Sequence, residues 1–297
     1  MKKIAVIGSI NMDLTCQADR HPNKGETISG RNLQYVPGGK GANQAVAAAR
    51  LGGDVRMFGC VGDDTFAQAL IDNLNRNGIH TDHIHTVPGI SSGIAMITVA
   101  EGDNSIVVIP GANQMVTPAY LEEVKEAVLE ADILILQNEI PLETVLAAID
   151  LASANGKAVI YNPAPMLPLA DGVMEKISFF TPNEHEAALL FPQCDTLESV
   201  LEHFGGKLIV TLGSQGAACF VNGQAVKVPA RKANVVDTTG AGDTFNGAFA
   251  YGLANDWPVE EALRFANVAA SLSTERFGAQ SGMPTLAQVE EALAKQP

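Results

Sequence analysis

The run Ile4-Ala5-Val6-Ile7 is followed at once by Gly8-Ser9-Ile10-Asn11-Met12-Asp13, so four apolar residues give way to a turn and to hydrogen-bonding side chains. The pattern returns at residues 133–136 before Gln137-Asn-Glu139, at 158–161 before Asn162-Pro-Ala-Pro165, at 177–180 before Thr181-Pro-Asn-Glu184, and at 208–212, which ends in Thr211-Leu-Gly213. Runs this short, without apolar–polar alternation, fit parallel strands buried on both faces. Helical segments lie between them, at residues 42–51, 65–77, 118–130, 143–155 and 260–273. Strand and helix in alternation predict an α/β fold with a doubly wound parallel sheet. Ligands in such a sheet bind beyond the carboxyl ends of the strands, so the polar tails mark the expected rim of the site.

Two stretches break the alternation. Residues 14–36 carry Pro22 and Gly25 as punctuation, and in residues 93–109 two β-branched runs flank Glu101-Gly-Asp-Asn104, the signature of a hairpin. Together they predict a small antiparallel sheet covering the rim, an arrangement that excludes water from a reactive centre. The whole chain, residues 1–297, reads as one domain with these segments as its lid, although about 150 residues per domain would also allow two.

Composition narrows the function classes. With 46% hydrophobic and 18% charged residues the chain is globular, and its net charge of −14, with no Lys/Arg cluster, argues against a nucleic-acid groove. The amino-terminal apolar run is too short for a secretory or membrane-spanning segment. Cys16, Cys60, Cys194 and Cys219 are scattered without a Cys-x-x-Cys pair, so neither a zinc ribbon nor a disulfide framework is expected, and the cytoplasm is the expected compartment. His80, His83 and His85 have no acidic or cysteine partner that would complete a metal site. Asp63 and Asp64 read as caps of the following helix, and Cys60 and Cys219 as core thiols.

Common cofactor fingerprints fail. Gly8 opens no Gly-x-Gly-x-x-Gly pattern, and Lys40 lacks the distal glycine and following Ser/Thr of a phosphate-binding loop. Gly89-Ile-Ser-Ser-Gly93 matches a nucleophile elbow but precedes a strand instead of following one. What remains is a pair of glycine-rich turns that each open a helix. The first, Gly38-Gly39-Lys40-Gly41-Ala42-Asn43, sets Lys40 and Asn43 beside exposed amides, which suits a polyhydroxylated substrate. The second, Thr238-Thr239-Gly240-Ala241-Gly242-Asp243, presents consecutive amides to an anion. It also places Asp243 where phosphoryl transfer to a hydroxyl needs a base.

The two turns, with Asn162-Pro-Ala-Pro165, Thr181-Pro-Asn-Glu184 and Thr211-Leu-Gly-Ser214, resemble in order and spacing the signatures of the ribokinase-like (PfkB) carbohydrate kinases, over residues 6–284. The resemblance implies a three-layer α/β/α sandwich with a mainly parallel central sheet and a small β-sheet lid that forms part of a homodimer interface. It implies ATP-dependent phosphorylation of a sugar's primary hydroxyl, with the O5 of D-ribose favoured, deoxyribose or another pentose or hexose as the alternative, and a catalytically silent sugar or nucleotide sensor as the reading from another class. Carried over residue by residue, the sugar falls to Asn11, Asp13, Gly39, Lys40, Asn43, Glu139 and Asp243. Asp243 is also the base, with Gly240, Ala241 and Gly242 as the anion hole.

Nucleotide contacts fall to Asn183, Thr211, Gly213, Ser214, Gly216, Gly242 and Asn267, and Glu186 is implied to meet Mg2+ through water. A monovalent cation, typically K+, is implied at Asp237 and Thr239 with oxygens from Ser273, Arg276, Gly278 and Gly282. Here the chain reads Gly278-Ala-Gln-Ser-Gly282, which moves a serine of the family pattern by one position.

Overall fold

The structure is a computed structural model and describes residues 1–168, 170–221 and 223–295. Six parallel strands form the central sheet: β1 (Lys3–Ile7), β4 (Asp54–Gly62), β5 (His80–Val87), β8 (Ile133–Leu136), β9 (Ala158–Tyr161) and β10 (Phe179–Phe180), in the order β10-β9-β8-β1-β4-β5. Strand β8 shows why the apolar runs are continuous. Ile133 and Ile135 pack into one layer and Leu134 and Leu136 into the other, so period-two side chains find cover on both faces. One layer holds α1 (Lys40–Arg50), α2 (Ala67–Arg76), α8 (Ala241–Ala254), α9 (Val259–Ser273) and α11 (Leu286–Ala294). The other holds α3 (Pro118–Leu129), α4 (Leu142–Ala154), α5 (Val173–Lys176), α6 (Glu184–Leu190) and α7 (Leu197–Phe204). This is the expected three-layer α/β/α sandwich.

Beyond β10 the chain adds an antiparallel sheet of β11 (Ile209–Thr211), β12 (Ala217–Val221) and β13 (Gln224–Val228), joined to the β10 end by parallel bridges Phe180 to Leu208 and Asn183 to Thr211. Only its first strand stands out in the sequence. The central strands β4 and β5 are also muted there, because Asp54 and Arg56 interrupt the apolar residues of β4 and because the edge strand β5 carries three His and an Asp.

The small sheet consists of β2 (Asn11–Gln17), β3 (Arg31–Gly38), β6 (Gly93–Ala100) and β7 (Asp103–Ile109), ordered β3-β2-β6-β7. It is two antiparallel hairpins laid side by side through a parallel β2–β6 contact. The β6–β7 turn is Glu101-Gly102 with φ of 55° and 80°, the double positive-φ geometry that matches strand twist in two-residue hairpins. No helix among the described residues is long and apolar enough to cross a membrane.

Helices α1 and α8 pack closely enough that a Cβ on Gly247 would lie 2.5 Å from Gln44 O. That contact brings the two glycine-rich turns together, although they are some 200 residues apart in the chain.

Candidate active site

Strand β3 ends at Gly38, Gly39 is the N-cap, and α1 begins at Lys40. Gly39 has φ of 88°, and a Cβ there would lie 2.8 Å from Asn11 N, so the turn passes the start of β2 at a distance only glycine permits. A Cβ on Gly38 would overlap the Asp13 carboxylate. Asn11, Asp13, Gly39, Lys40 and Asn43 therefore share one corner. Glu139 closes it from the end of β8, its Oε2 accepting from Ser9 Oγ at 2.5 Å and from Lys40 N at 3.0 Å. Asn11 Oδ1 accepts from Asn113 Nδ2 at 2.7 Å, which holds β2 in place.

Helix α8 opens without a side-chain cap, on a left-handed Gly240. Asp243 is buried in its first turn and is not used as a cap. Its Oδ2 accepts from Asn43 Nδ2 at 2.9 Å and its Oδ1 from Gln44 Nε2 at 3.0 Å. Among the described residues the amides of Gly240, Gly242 and Asp243 have no protein acceptor, which leaves donors for an anion. Ala241 differs from its neighbours: its N–H closes the turn on Thr238 O at 3.2 Å.

The corner is electrostatically crowded. Burial pushes the Asp13 carboxyl up to about 7, and the nearby Glu139 and Asp243 add to the shift. The Lys40 ammonium is held above its ordinary range first by Asp243 and then by Glu139 and Glu186, with burial acting in the opposite direction. The site thus sets one half-buried cation, Lys40, among several carboxylates.

Of the residues expected at the nucleotide, Asn183, Thr211, Gly213, Ser214 and Gly216 lie at or beyond the ends of β10 and β11, whereas Gly242 is in α8 and Asn267 in α9. Thr181 Oγ1 donates to Asn246 Oδ1 of α8 at 2.7 Å, which links this end to the helix bearing Asp243. Asn183 and Glu186 form a reciprocal capping box on α6, each backbone N–H meeting the other's side chain at 2.8 Å. Their spacing therefore has a structural use of its own. Burial pushes the Glu186 carboxyl up. Gly213 and Ser214 sit in an exposed turn, Thr211 bridges to Asn183, and Gly216 packs against Val228, Pro229 and Ala230. Asn267 is buried, with its Nδ2 on Val228 O at 2.8 Å.

The Asp237 carboxylate accepts from Thr239 N at 2.9 Å, Thr239 Oγ1 at 2.6 Å and Gly278 N at 2.8 Å. Burial alone would raise its pKa, but these hydrogen bonds hold it below the ordinary carboxylate range. A Cβ on Gly282 would lie 2.3 Å from Ser273 O and 3.5 Å from Arg276 O, so glycine keeps open a cradle of carbonyl oxygens. The displaced Ser281 turns its hydroxyl back to Phe277 O at 2.5 Å, and the Ser273 hydroxyl goes to Ala270 O at 2.8 Å. Neither side chain faces the cradle as a free ligand. Carbonyl oxygens can replace the hydration shell of K+, so an oxygen-only, carbonyl-rich donor set suits a monovalent cation. No group of three or more His, Cys, Asp or Glu suited to a metal occurs among the described residues.

Gln44, Gln137, Asn162 and Gln280 stand in or beside the quoted motifs, and sequence reasoning gave none of them a role. These amides make the buried scaffold behind Asp243. Gln44 could have been noticed as a lone amide at the head of an alanine-rich, fully buried helix face. A groove of about 950 Å³ lined in part by Arg264 and Leu272 of α9 and by Gln288 and Glu291 of α11 holds none of the residues expected at the site.

The sequence matches the pfkB family carbohydrate kinases over residues 1–286. It is 49% identical over 294 residues to the ribokinase of Bacillus subtilis, covering 99% of this chain and 100% of that protein. It is 40% identical over 301 residues to the deoxyribokinase of Salmonella typhimurium, covering 98% of each. Among solved structures, the ribokinase of Thermotoga maritima has a TM-score of 0.92 at 35% identity, covering 99% of this chain and 100% of that one. The Arabidopsis thaliana ribokinase complexed with ribose and ATP has a TM-score of 0.90 at 33% identity, covering 99% of each chain. On sequence over its whole length, on fold, and on the meeting of its two glycine-rich turns, the chain belongs to the pfkB family of carbohydrate kinases.

Proposed function

We propose that the protein is an ATP-dependent sugar kinase that transfers the γ-phosphoryl group of ATP to the O5 hydroxyl of D-ribose. The observation that carries the reading is the position of Asp243, which is hydrogen-bonded to the sugar-side Asn43 and stands beside the unpartnered amides of its own helix N-terminus. Those two surroundings are what direct transfer requires of a base.

In this reading Asn11, Asp13, Lys40 and Glu139 orient the sugar. Glu139 Oε2 already holds the Lys40 turn, which leaves Oε1 to face the substrate. Asp243 accepts the O5 proton as the oxygen attacks the γ-phosphorus in line, and ADP leaves. The amides of Gly240, Gly242 and Asp243, at the positive end of α8, stabilise charge on the moving phosphoryl group, and the half-buried Lys40 ammonium adds to that field.

Asn183, Thr211, Gly213, Ser214, Gly216, Gly242 and Asn267 are assigned to the nucleotide. Glu186 keeps one carboxylate oxygen outside its capping box to accept from magnesium-bound water. The Asp237 carboxylate, Thr239 and the Ser273 and Arg276 carbonyls would hold K+, with Gly278 and Gly282 shaping the cradle, and the cation would add positive charge beside the anion hole. The chain acts as one domain whose small sheet covers the sugar, and two copies pair through that sheet. Its outer strand β7, exposed along its whole length, supports the pairing. Four free thiols fit the cytoplasm.

Coupled ADP release from MgATP with D-ribose in potassium buffer tests the reading. Ribose-dependent turnover is expected, with deoxyribose turned over less efficiently; a folded protein that releases no ADP would overturn it.

A further inference from the structure

Two amide donors hold a carboxylate in one plane only if neither amide turns over, and the contacts behind Asp243 decide that. Asn162 Nδ2 donates to the backbone carbonyl of Thr181 at 2.9 Å, so Asn162 Oδ1 faces Gln44. Gln44 Nε2 donates to that oxygen at 3.2 Å and to Asp243 Oδ1 at 3.0 Å, which leaves its Oε1 to accept from Gln137 Nε2 at 2.8 Å. On the other side, Asn43 Nδ2 donates to Asp243 Oδ2, and Asn43 Oδ1 accepts from Gln280 Nε2 at 3.0 Å. Gln280 Oε1 in turn accepts from Asn73 Nδ2 at 2.7 Å. Reversing any one amide would set carbonyl against carbonyl or carbonyl against carboxylate.

Gln137 adds the informative detail. It is fully buried, its Nε2 points at Gln44, and its Oε1 has no partner. Buried carbonyls are rarely left alone, so an exception calls for an explanation. Here the orphan oxygen is what remains when the N–H must face Gln44.

We infer that Gln137 and Gln280 are positioning residues for the base: neither touches substrate, and each fixes the direction of the amide (Gln44 or Asn43) that orients Asp243. The inference rests on reading Asp243 as the base. It gives the relay a polarity: Gln137 and Gln44 on one side, and Asn73, Gln280 and Asn43 on the other, aim their N–H groups toward the carboxylate, while Asn162 only accepts from Gln44.

Polarity is testable by substitution in the full-length protein. In Gln137→Leu, Gln44 Oε1 loses its donor, and kcat is expected to fall between about 10- and 100-fold at every pH, with the sugar KM changed less than about twofold. In Gln137→Glu, the new carboxyl donates to Gln44 when protonated and only accepts when ionised. Its kcat is therefore expected near the parent's at low pH and to drop along an alkaline limb that the parent lacks. Asp13, Lys40, Glu139 and Asp243 face the same corner, and the parent's own pH profile is the baseline. Should either Gln137 variant fail to fold, Gln280→Leu repeats the loss-of-donor test from the Asn43 side, with kcat again expected to fall about 10- to 100-fold and the sugar KM to change less than about twofold. Variants that fold and keep the parent's kcat and pH profile overturn the inference, as does a loss in Gln137→Glu that is uniform in pH. Parent turnover of ribose tests the functional reading separately, since the variant-to-parent ratios can be taken with whichever sugar the parent phosphorylates.

Discussion

Strands β8 and β7 both contain four apolar residues in a row, Ile133-Leu-Ile-Leu136 and Ile106-Val-Val-Ile109, yet every residue of β8 is buried and every residue of β7 is exposed. Ile106, Val107 and Val108 are 50%, 62% and 49% accessible. An apolar run thus announces a strand that needs cover without saying where the cover comes from. For β8 it comes from the chain's own two helical layers. For β7, on the edge of a four-stranded sheet, nothing among the described residues supplies it, and an open apolar edge of this kind invites a second copy. The central sheet and its rim are therefore expected to carry stability and chemistry, and the small sheet to carry association.

The strongest way to break that division is at the rim. Asp243→Ala is expected to lower kcat by about 10²–10⁴ while calorimetry still detects sugar binding; near-parent turnover would remove the base from the mechanism. Next comes the buried strand. Leu134→Ala is expected to cost about 2–5 kcal/mol in urea unfolding, and a cost below about 1 kcal/mol would mean that β8 is less tightly enclosed than its burial implies.

A smaller effect lies where the regions meet, because Asp13 belongs to β2 of the small sheet and faces the rim. Its carboxyl sits at about 7 in the folded chain against about 3.9 unfolded. Folded chains hold this proton between those values, so the contribution to stability is present at low pH and is lost as pH rises through about 7. The ionised form is the better acceptor for sugar hydroxyls, and the sugar KM is expected to fall several-fold from pH 6 to pH 8. Asp13→Asn should flatten both trends, and an unchanged slope would assign them to another group. The smallest change in folding stability is expected from Val107→Lys, within about 0.5 kcal/mol, while sedimentation shifts from dimer to monomer. A parent that sediments as a monomer at micromolar concentration would instead leave β7 without its proposed cover.

Much of this plan was legible in the residue order. Uniform apolar runs located β1, β8 and β9, and the polar tails after them located the rim. Two helix-opening glycine turns located the corner where Asn43 and Asp243 meet. Legibility ended where structure depends on distant partners. The Asn43–Asp243 and Asn43–Gln280 hydrogen bonds join residues 200 and 237 positions apart, and no local pattern encodes them. Strands β4 and β5 and the β12–β13 hairpin were obscured because polar positions interrupt or border their apolar stretches. Asn183 and Glu186 show the converse, a spacing that serves a helix cap whatever else it serves.

The parallel contact between β2 and β6 gives the small sheet a root and a tip. Asn11, Gly38 and Gly93 are paired at the root, beside the rim, and both hairpins reverse at the opposite end, where His21 Nδ1 and Ser105 Oγ lie 3.2 Å apart. Eight residues of β6 at about 3.3 Å each separate the two ends by roughly 25 Å. Extra residues spliced in at Glu101-Gly102 or within residues 18–30 would lengthen the tip without shifting any pairing at the root. These two reversals are accordingly the places to graft a fluorophore or an affinity handle, and the places where chain length is freest to drift.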